Sequence, residues 1–289
     1  MHLEIWLLPS LVALLCNGLS TFLPKLSLKS LRLLDLVVYQ GFFFFGWSLA
    51  IPAIYGWPAF EFKGTMTAVI SGVIGALGQL FYLVGLQRTS VAPVSTVAGL
   101  YPLVSTLLAV FLLDESVTVL QGAGIIFGVS SIIMLVIAGE GQRGFKKALD
   151  RKNLLNWLLP SLAAMMAWGV WGFIPKLALQ SLPSHDAMFY AAVGDLIAVL
   201  CIFAYLGGKL QKDGRGVKIT CIASLLTVMS MFSFFYALSL GSVAVVTTLT
   251  AMYPIITVIL ARVILKEKIN IKQICAIMLA LVSIGLLVS

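Results

Sequence analysis

The sequence predicts an all-α integral membrane protein of ten transmembrane helices, arranged as two inverted five-helix repeats. Three observations predict this fold class: the composition, the length of the apolar runs and a duplication of the chain. The 289 residues are 61% hydrophobic and 10% charged, and the mean hydropathy is +1.07. Soluble proteins carry about a quarter charged residues, so this composition excludes an ordinary soluble fold.

The apolar runs are long enough for membrane spans. A helix of about 20 residues crosses about 30 Å of hydrocarbon, and it satisfies its own backbone there. The first run lacks a basic start and recurs mid-chain, so we interpret it as a span rather than a signal peptide. We number the predicted spans 1 to 10, with bounds at 4–24, 33–55, 65–87, 91–112, 117–138, 154–176, 186–206, 217–239, 243–264 and 270–288.

The sequence of the first span occurs twice in this chain. The segment that begins Trp6-Leu-Leu-Pro-Ser-Leu recurs from Trp157, an offset of 151 (157 minus 6) that also pairs Gly18 with Gly169. We therefore divide the chain into a first repeat at 1–138, a basic linker at 139–153 and a second repeat at 154–289. Because five spans is an odd number, the two copies cross the membrane in opposite senses, as in many secondary transporters.

The basic residues favour the same arrangement. If the spans alternate, 17 of the 19 Lys and Arg residues follow odd-numbered spans, and only Lys63 and Lys176 lie at the other face. The positive-inside bias then places the basic loops in the cytoplasm of a cell (inner) membrane and both termini outside. The charge is dispersed over loops, so it does not indicate nucleic-acid binding. The 17 residues are Lys25, Lys29, Arg32, Arg88, Arg143, Lys146, Lys147, Arg151, Lys152, Lys209, Lys212, Arg215, Lys218, Arg262, Lys266, Lys268 and Lys272.

The four cysteines lie in apolar segments without CxxC spacing. This pattern predicts neither a disulfide framework nor a zinc site. The sequence therefore predicts no metal and no cofactor.

The later part of each repeat carries a shared motif. Tyr82-Leu-Val-Gly-Leu, Tyr101-Pro102, Leu113-Asp-Glu115 and Gln121 correspond to Tyr236-Ala-Leu-Ser-Leu, Tyr253-Pro254, Leu265-Lys-Glu267 and Gln273. The pattern over residues 82–122 resembles the drug/metabolite transporter superfamily, in its ten-span form with two EamA-like repeats. The resemblance implies a transporter of amino acids, sugars, nucleotide sugars, cations or drugs. Its ten-span members usually keep both termini in the cytoplasm, whereas the loop charges here favour the outside.

Each Tyr-Pro pair lies near the middle of its span. Proline lacks the N–H and clashes with the carbonyl four residues back, so Pro102 and Pro254 bend their helices. Two interpretations fit: a static packing kink, or a hinge whose freed carbonyls face a central cavity. The resemblance favours the cavity, with Tyr101 and Tyr253 in its lining.

A set of polar and aromatic side chains predicts a substrate pocket. Residues three apart share a helix face, and an amide gains nothing from facing lipid. Such a pocket suits an amphipathic or aromatic solute, or a cation held over a ring; alternatively, the rings fill interhelical gaps or lie at the membrane interface. The predicted set is Asn17, Ser20, Gln79, Tyr82, Tyr101, Trp168, Trp171, Ser233, Tyr236 and Tyr253.

Three charged residues are candidates for coupling or charge recognition. Asp195 is the one carboxylate well inside an apolar span, and such acids usually mark ion or proton pathways; the alternative is a carboxyl that is hydrogen-bonded to a neighbouring helix. Lys25 and Lys176 each follow a proline at a span end, where a lysine either snorkels to the headgroups or captures an anionic solute. The resemblance implies an arginine early in the second span of a repeat, and its absence disfavours a phosphate-bearing substrate.

Glu115 and Glu267 precede spans 5 and 10. A carboxylate ahead of a helix stabilises the unpaired N–H groups and the dipole of its first turn. We therefore expect a structural role for both.

Two classes of function follow. The first is a secondary active transporter that moves an amino acid, an amine or an amphipathic solute through a midplane cavity by alternating access. It would work in the bilayer as a monomer or dimer with proton or ion coupling, and sugar or nucleotide-sugar exchange is the second substrate class. The alternative is a lipid or isoprenoid enzyme or a lipid-translocating subunit. His2 and His185 are the only histidines, and there is no HxxxH or DDxxD spacing, so we predict no enzyme.

Overall fold

The computed structural model describes residues 5–28, 30–86, 88, 94, 97–148, 154–253, 255, 256, 259 and 271–288. All regular secondary structure in these ranges is α-helical, which confirms the predicted class. Spans 1 and 2 are each made of two helices, and spans 4 and 9 have helical residues on both sides of a turn. The bounds, from span 1 to span 10, are Leu7–Phe22 with Pro24–Ser27, Leu33–Ser48 with Ala50–Tyr55, Phe62–Leu86, Tyr101–Leu113, Val119–Ala148, Leu154–Ala178, Ser184–Tyr205, Gly214–Leu240, Val243–Ala251 and Ile271–Val288.

Five spans are long and apolar enough to cross a membrane as described. They are spans 2, 3, 6, 7 and 8, and shorter apolar helices represent spans 1, 4, 5 and 10. Span 4 is interrupted: residues 94, 97 and 98 are helical, residues 99–100 form a turn, and a new helix begins at Tyr101. Pro102 therefore lies in a first turn, where a missing N–H costs little. The first helix of span 9 ends at Ala251, just before Tyr253, and residues 255, 256 and 259 are helical again. Pro254 lies outside the described residues. The Tyr-Pro motif therefore coincides with a helix boundary in both repeats.

Span 5 begins at a capping box that the sequence shows as Thr-x-x-Gln. The Gln121 backbone N–H donates to Thr118 Oγ1 at 3.1 Å, and the Thr118 N–H donates to Gln121 Oε1 at 3.2 Å. These reciprocal bonds satisfy two N–H groups that a helix start leaves unpaired. The helix then runs to Ala148, into the predicted linker.

The packing of the spans obeys the internal symmetry. Span 3 packs along spans 6 and 7, and its counterpart span 8 packs along spans 1 and 2. Span 4 contacts spans 6 and 9, span 9 contacts spans 1 and 4, and span 5 packs on span 10. Exchanging spans 1 to 5 with spans 6 to 10 leaves this set of neighbours unchanged, so each repeat is completed by helices of the other.

Two equivalent hydrogen-bonded turns show that the repeats are inverted. Before span 8, Asp213 accepts from the Gly216 N–H at 2.5 Å and from Ser30 Oγ at 2.7 Å. Before span 3, Glu61 makes the same bonds at the other end of the bundle, to the Gly64 N–H at 2.5 Å and to Ser181 Oγ at 2.8 Å. Loops after odd spans thus meet one another, and loops after even spans meet at the opposite end.

The hydrogen bonds of these turns also change their acidity. The Gly216 N–H, followed by the Ser30 hydroxyl, lowers the pKa of the Asp213 carboxyl. The Gly64 N–H and the Ser181 hydroxyl likewise lower the pKa of Glu61. Hydrogen bonds to the ionised form favour that form, so both carboxylates stabilise the helix starts while they are charged.

Candidate functional site

A glycine face on span 3 brings the two predicted tryptophans into the bundle. A Cβ added to Gly75 would lie 2.8 Å from Trp171 Cδ1, and one added to Gly78 would clash with the Trp168 indole. The span 3 backbone therefore approaches the indole rings more closely than any other residue type would permit. Trp168 and Trp171 are half-buried and point to span 3.

The two Tyr-Pro motifs lie against equivalent glycines of spans 1 and 6. Gly169 packs against Val104 and the Tyr101 carbonyl, and Gly18 packs against Ile256 and the Tyr253 carbonyl. Ser105 Oγ also donates to the Gly169 carbonyl at 2.8 Å. The helix boundaries of spans 4 and 9 thus lie where these spans pass close to the opposite repeat.

A small cavity lies between these crossings. Its volume is about 20 Å³, which is room for about one water molecule. Its polar lining is Asn17, Tyr101, Ser230 and Thr250, and its apolar lining is Ala13, Trp171, Met231 and Phe234. We call it the central cavity, and the described part of its lining contains no charged side chain.

Aromatic rings form the wall of the central cavity and continue beyond it. Trp171 stacks on Phe234 with ring centroids 5.3 Å apart and planes 12° apart. Trp168 lies 5.2 Å from the Tyr82 ring and contacts Tyr101 edge-on at 6.3 Å. Ring pairs at such distances prefer stacked or edge-on geometry. The contacts between these rings therefore stabilise the orientation of each ring in the wall.

Tyrosine side chains of both repeats lie near one another in the same region. The Tyr101 side chain is hydrogen-bonded to Thr250 of the second repeat. Tyr253 interacts electrostatically with Tyr82 and with Tyr101. The two Tyr-Pro tyrosines, predicted separately from the two repeats, therefore lie together at the centre of the bundle.

Three of the ten predicted pocket residues, Asn17, Tyr101 and Trp171, line the central cavity. Three more adjoin it, and the other four lie apart from it. Ser20 is buried, and its hydroxyl donates within its own helix to the Asn17 carbonyl at 3.0 Å. Gln79 and Ser233 are half-buried, and Tyr236 is 46% exposed. The prediction thus placed Asn17, Tyr101 and Trp171 around one space, with Tyr82, Trp168 and Tyr253 adjoining it.

The candidate charged residues lie elsewhere. Asp195 is half-buried, with its backbone against Gly72 of span 3, and the described residues supply no hydrogen-bond donor to its carboxylate. Lys176 Nζ donates to the carbonyls of Leu238 at 2.6 Å and Gly241 at 2.7 Å. The Lys25 side chain lies outside the described structure.

Three comparisons with known proteins place the chain in a family. The model of the EamA-like transporter family matches residues 4–137 and 155–289. The chain belongs to the EamA-like transporter family. The two matches fall on the two copies that the sequence duplication defines, so each copy is one EamA-like unit, and the chain is a multi-pass membrane protein.

Individual relatives of this EamA-like chain are distant. A WAT1-related chloroplastic protein of Arabidopsis thaliana is 26% identical over 227 residues, which is 72% of this chain and 51% of the relative. The chain thus spans about half the length of that protein. An uncharacterized protein of Methanocaldococcus jannaschii is 25% identical over 130 residues, covering 45% of this chain and 94% of that protein. A solved crystal structure superposes with a TM-score of 0.79 at 17% identity, covering 96% of this chain and 94% of its own, which shows a shared fold.

Sequence reasoning missed several cavity residues of this EamA-like protein. Thr250 stands three residues before Tyr253, in a span where Thr247, Thr248 and Thr250 interrupt an apolar run. That run of hydroxyls was a usable signal, although all three hydroxyls also donate to carbonyls of their own helix. Phe234 and Ser230 gave no signal, because aromatic and small residues are common in membrane spans.

The helix that Glu115 stabilises is not the one that we expected. Thr118 caps the following span 5, and both Glu115 carboxylate oxygens accept from the Val243 N–H, at 3.0 and 2.9 Å, at the start of span 9. Asp114 has a φ of 52°, so the chain turns back after span 4 and carries Glu115 towards the other repeat. The role is structural, as expected, but it joins the repeats. Glu267 lies outside the described residues.

Proposed function

We propose that this protein is a secondary transporter that carries a small, uncharged or cationic solute through the central cavity by alternating access. The observation that supports it most is the cavity itself. It combines a stacked Trp171–Phe234 pair with Asn17, Tyr101 and Thr250, and it lies where the interrupted spans 4 and 9 meet. Interrupted helices at mid-bundle are typical of transporter binding sites.

The lining indicates the solute class. Aromatic faces bind planar apolar groups or cations, and the amide and hydroxyl groups supply a few directed hydrogen bonds. Among the residues that the structure describes, no lysine or arginine lines the cavity, so a phosphate would lack the fixed positive charge that it prefers. Amino acids, amines and aromatic amphipathic solutes fit best, and sugars are the second class.

The small volume of the central cavity is typical of a closed state of the transporter. A space of about 20 Å³ is far below the several hundred Å³ of a typical ligand pocket. Alternating access accounts for this, because the repeats separate to admit a solute and close again around the site. We further propose a single chain as the working unit, in a cell membrane with the basic loops cytoplasmic, and Asp195 as the group that couples transport to protons.

A screen followed by transport measurement tests the proposal. Amino acids, amines and sugars are first screened for an increase in the Tm of the purified protein, because a ligand that binds only the folded state stabilises it. The solutes that bind are then offered to proteoliposomes. We expect one class to accumulate in the vesicles chemically unchanged. Conversion of a lipid, or binding without any movement across the bilayer, would refute transport.

A further inference from the structure

A second, larger cavity opens at the end of the bundle where the loops after even-numbered spans meet. Its volume is about 340 Å³, and residues that line it include Trp6, Ser116, Gln121, Lys176, Gly241 and Val245. We call it the vestibule. This volume is within the range of small-molecule sites, whereas the central cavity holds about one water molecule.

The vestibule and the central cavity are lined by the same four helices. Spans 1, 6, 8 and 9, or the residues directly at their ends, contribute Trp6, Lys176, Gly241 and Val245 to one and Ala13, Trp171, Phe234 and Thr250 to the other. Lys176 follows Trp171, and Thr250 follows Val245, by five residues, which is about 7.5 Å along a helix. The two spaces are therefore stacked along one axis.

Buried apolar side chains fill the helix positions between the two cavities. Phe235 and Leu238 of span 8 and Val246 and Leu249 of span 9 are 1%, 0%, 0% and 0% exposed. Water and polar solutes do not cross such a packed layer. A path from the vestibule to the central cavity therefore requires spans 8 and 9 to move away from spans 1 and 6.

Two charged residues hold these elements together at the vestibule. Lys176 of span 6 is bonded to the Leu238 and Gly241 carbonyls at the end of span 8, and Glu115, which follows span 4, is bonded to the Val243 N–H at the start of span 9. Glu115 and Lys176 also attract each other electrostatically. We call this pair the clasp.

We propose that the vestibule is the solute entrance at this face, and that the Lys176–Glu115 clasp keeps the passage to the central cavity shut. The inference rests on the proposed function for the identity of what passes. The closure itself rests on the contacts alone. Lys176 and Glu115 come from opposite repeats, and both bind the short segment that joins span 8 to span 9. Releasing either one frees the short span 9, whose Thr250 lines the central cavity.

Cysteine labelling tests the clasp without any solute. In a protein whose four native cysteines are replaced, Ala13→Cys places a thiol in the central cavity, where Ala13 is 1% exposed. Trp57→Cys, at a position that is 90% exposed in the loop after span 2, marks the vestibule face. A membrane-impermeant thiol reagent is added to each side of proteoliposomes, and the rates of modification are compared.

We expect Glu115→Gln and Lys176→Met each to accelerate labelling of Ala13→Cys by about tenfold from the side that labels Trp57→Cys, because each removes a charge-assisted contact. Lys63→Met, a lysine at the same face outside the clasp, serves as the matched control and should leave the rate unchanged. Equal rates in all variants would overturn the proposal. So would acceleration from both sides, which indicates loosened folding rather than an opened entrance.

The readout separates this inference from the proposed function. Labelling reports the passage whether or not a transported solute is known, so failure to find transport leaves the labelling result valid. Conversely, transport with unchanged labelling would refute the clasp alone. In the vesicles Trp57→Cys identifies the vestibule face. The same labelling in intact cells reads the orientation, because the loop charges predict this face to be external.

Discussion

Trp171 and Asn17 occupy equivalent faces of spans 6 and 1, yet they make different contributions to one cavity. Trp171 supplies a ring that stacks on Phe234, and Asn17 supplies an amide. The offset of 151 pairs Asn17 with Trp168 and Ser20 with Trp171, and of these four residues Asn17 and Trp171 line the cavity. Trp168 instead packs against Gly78 and Tyr82, while Ser20 bonds to its own helix. The cavity therefore receives an amide from the first repeat and a ring from the second, which makes it asymmetric.

Asp195 gives a prediction at this scale. It is half-buried in span 7 against Gly72, and the described residues supply no hydrogen-bond donor to its carboxylate. If it carries the coupling proton, Asp195→Asn keeps the shape but removes the titratable group. We expect the transport rate to lose its pH dependence in Asp195→Asn and to retain it in Asp195→Glu. Rates measured from pH 5 to pH 8 that vary equally in wild-type and Asp195→Asn would rule out this role.

At the scale of single helices, the turns that start spans 3 and 8 are the best-defined features. Asp213 and Glu61 each accept from a glycine N–H and from a serine of the opposite repeat, although one is an aspartate and the other a glutamate. The sequence shows no simple repeat at these positions, because the two acids differ in type. Their equivalence became visible only through their partners, Ser30 and Ser181.

Asp213 predicts a pH-dependent contribution to stability. Its pKa is lowered in the folded state by the Gly216 N–H and then by the Ser30 hydroxyl. Folded protein therefore releases this proton more readily than unfolded protein, so the contribution is complete above the unfolded pKa of about 3.9 and is lost as the pH falls through the folded pKa. We expect Asp213→Asn to lower the Tm at pH 7 and the difference from wild-type to shrink below about pH 4.

Thermal unfolding in detergent across this pH range measures the effect. Glu61→Gln, which alters the equivalent turn at the other end of the bundle, should show the same sign. A Tm difference for Asp213→Asn that stays constant from pH 7 to pH 3 would contradict the assignment.

Considered as a whole molecule, much of the fold followed from the sequence. The composition predicted membrane helices, and the duplication of Trp6 at Trp157 with five spans per copy predicted inversion. The interruptions at the Tyr-Pro motifs followed from the chemistry of Pro102. The contacts between repeats did not follow, because a helix period says which residues share a face but not which helix that face meets. Glu115 shows this best, because it accepts from the N–H of Val243 at the start of span 9, 128 residues away in the chain.

The candidate site was predictable to the same degree. Polar side chains in apolar spans indicated Asn17 and Tyr101. Trp171 was indicated because it stands where the other repeat has Ser20. Phe234 and Ala13 were not predictable, because their types are ordinary in a membrane helix and only the packing of spans 1 and 8 brings them to the cavity. The family match establishes the fold and the class, and the proposed chemistry of the solute rests on the cavity lining.

The central claim is that solute crosses this protein through the central cavity. The most direct test is uptake, by proteoliposomes, of the solute identified in the screen, compared between wild-type, Trp171→Ala, Asn17→Ala and the exposed control Trp57→Ala. We expect Trp171→Ala to reduce uptake by about tenfold or more, because truncating a buried aromatic anchor costs about 2 kcal/mol of binding. Asn17→Ala should also reduce uptake, and Trp57→Ala should match wild-type. Wild-type uptake by folded Trp171→Ala and Asn17→Ala proteins would contradict the claim.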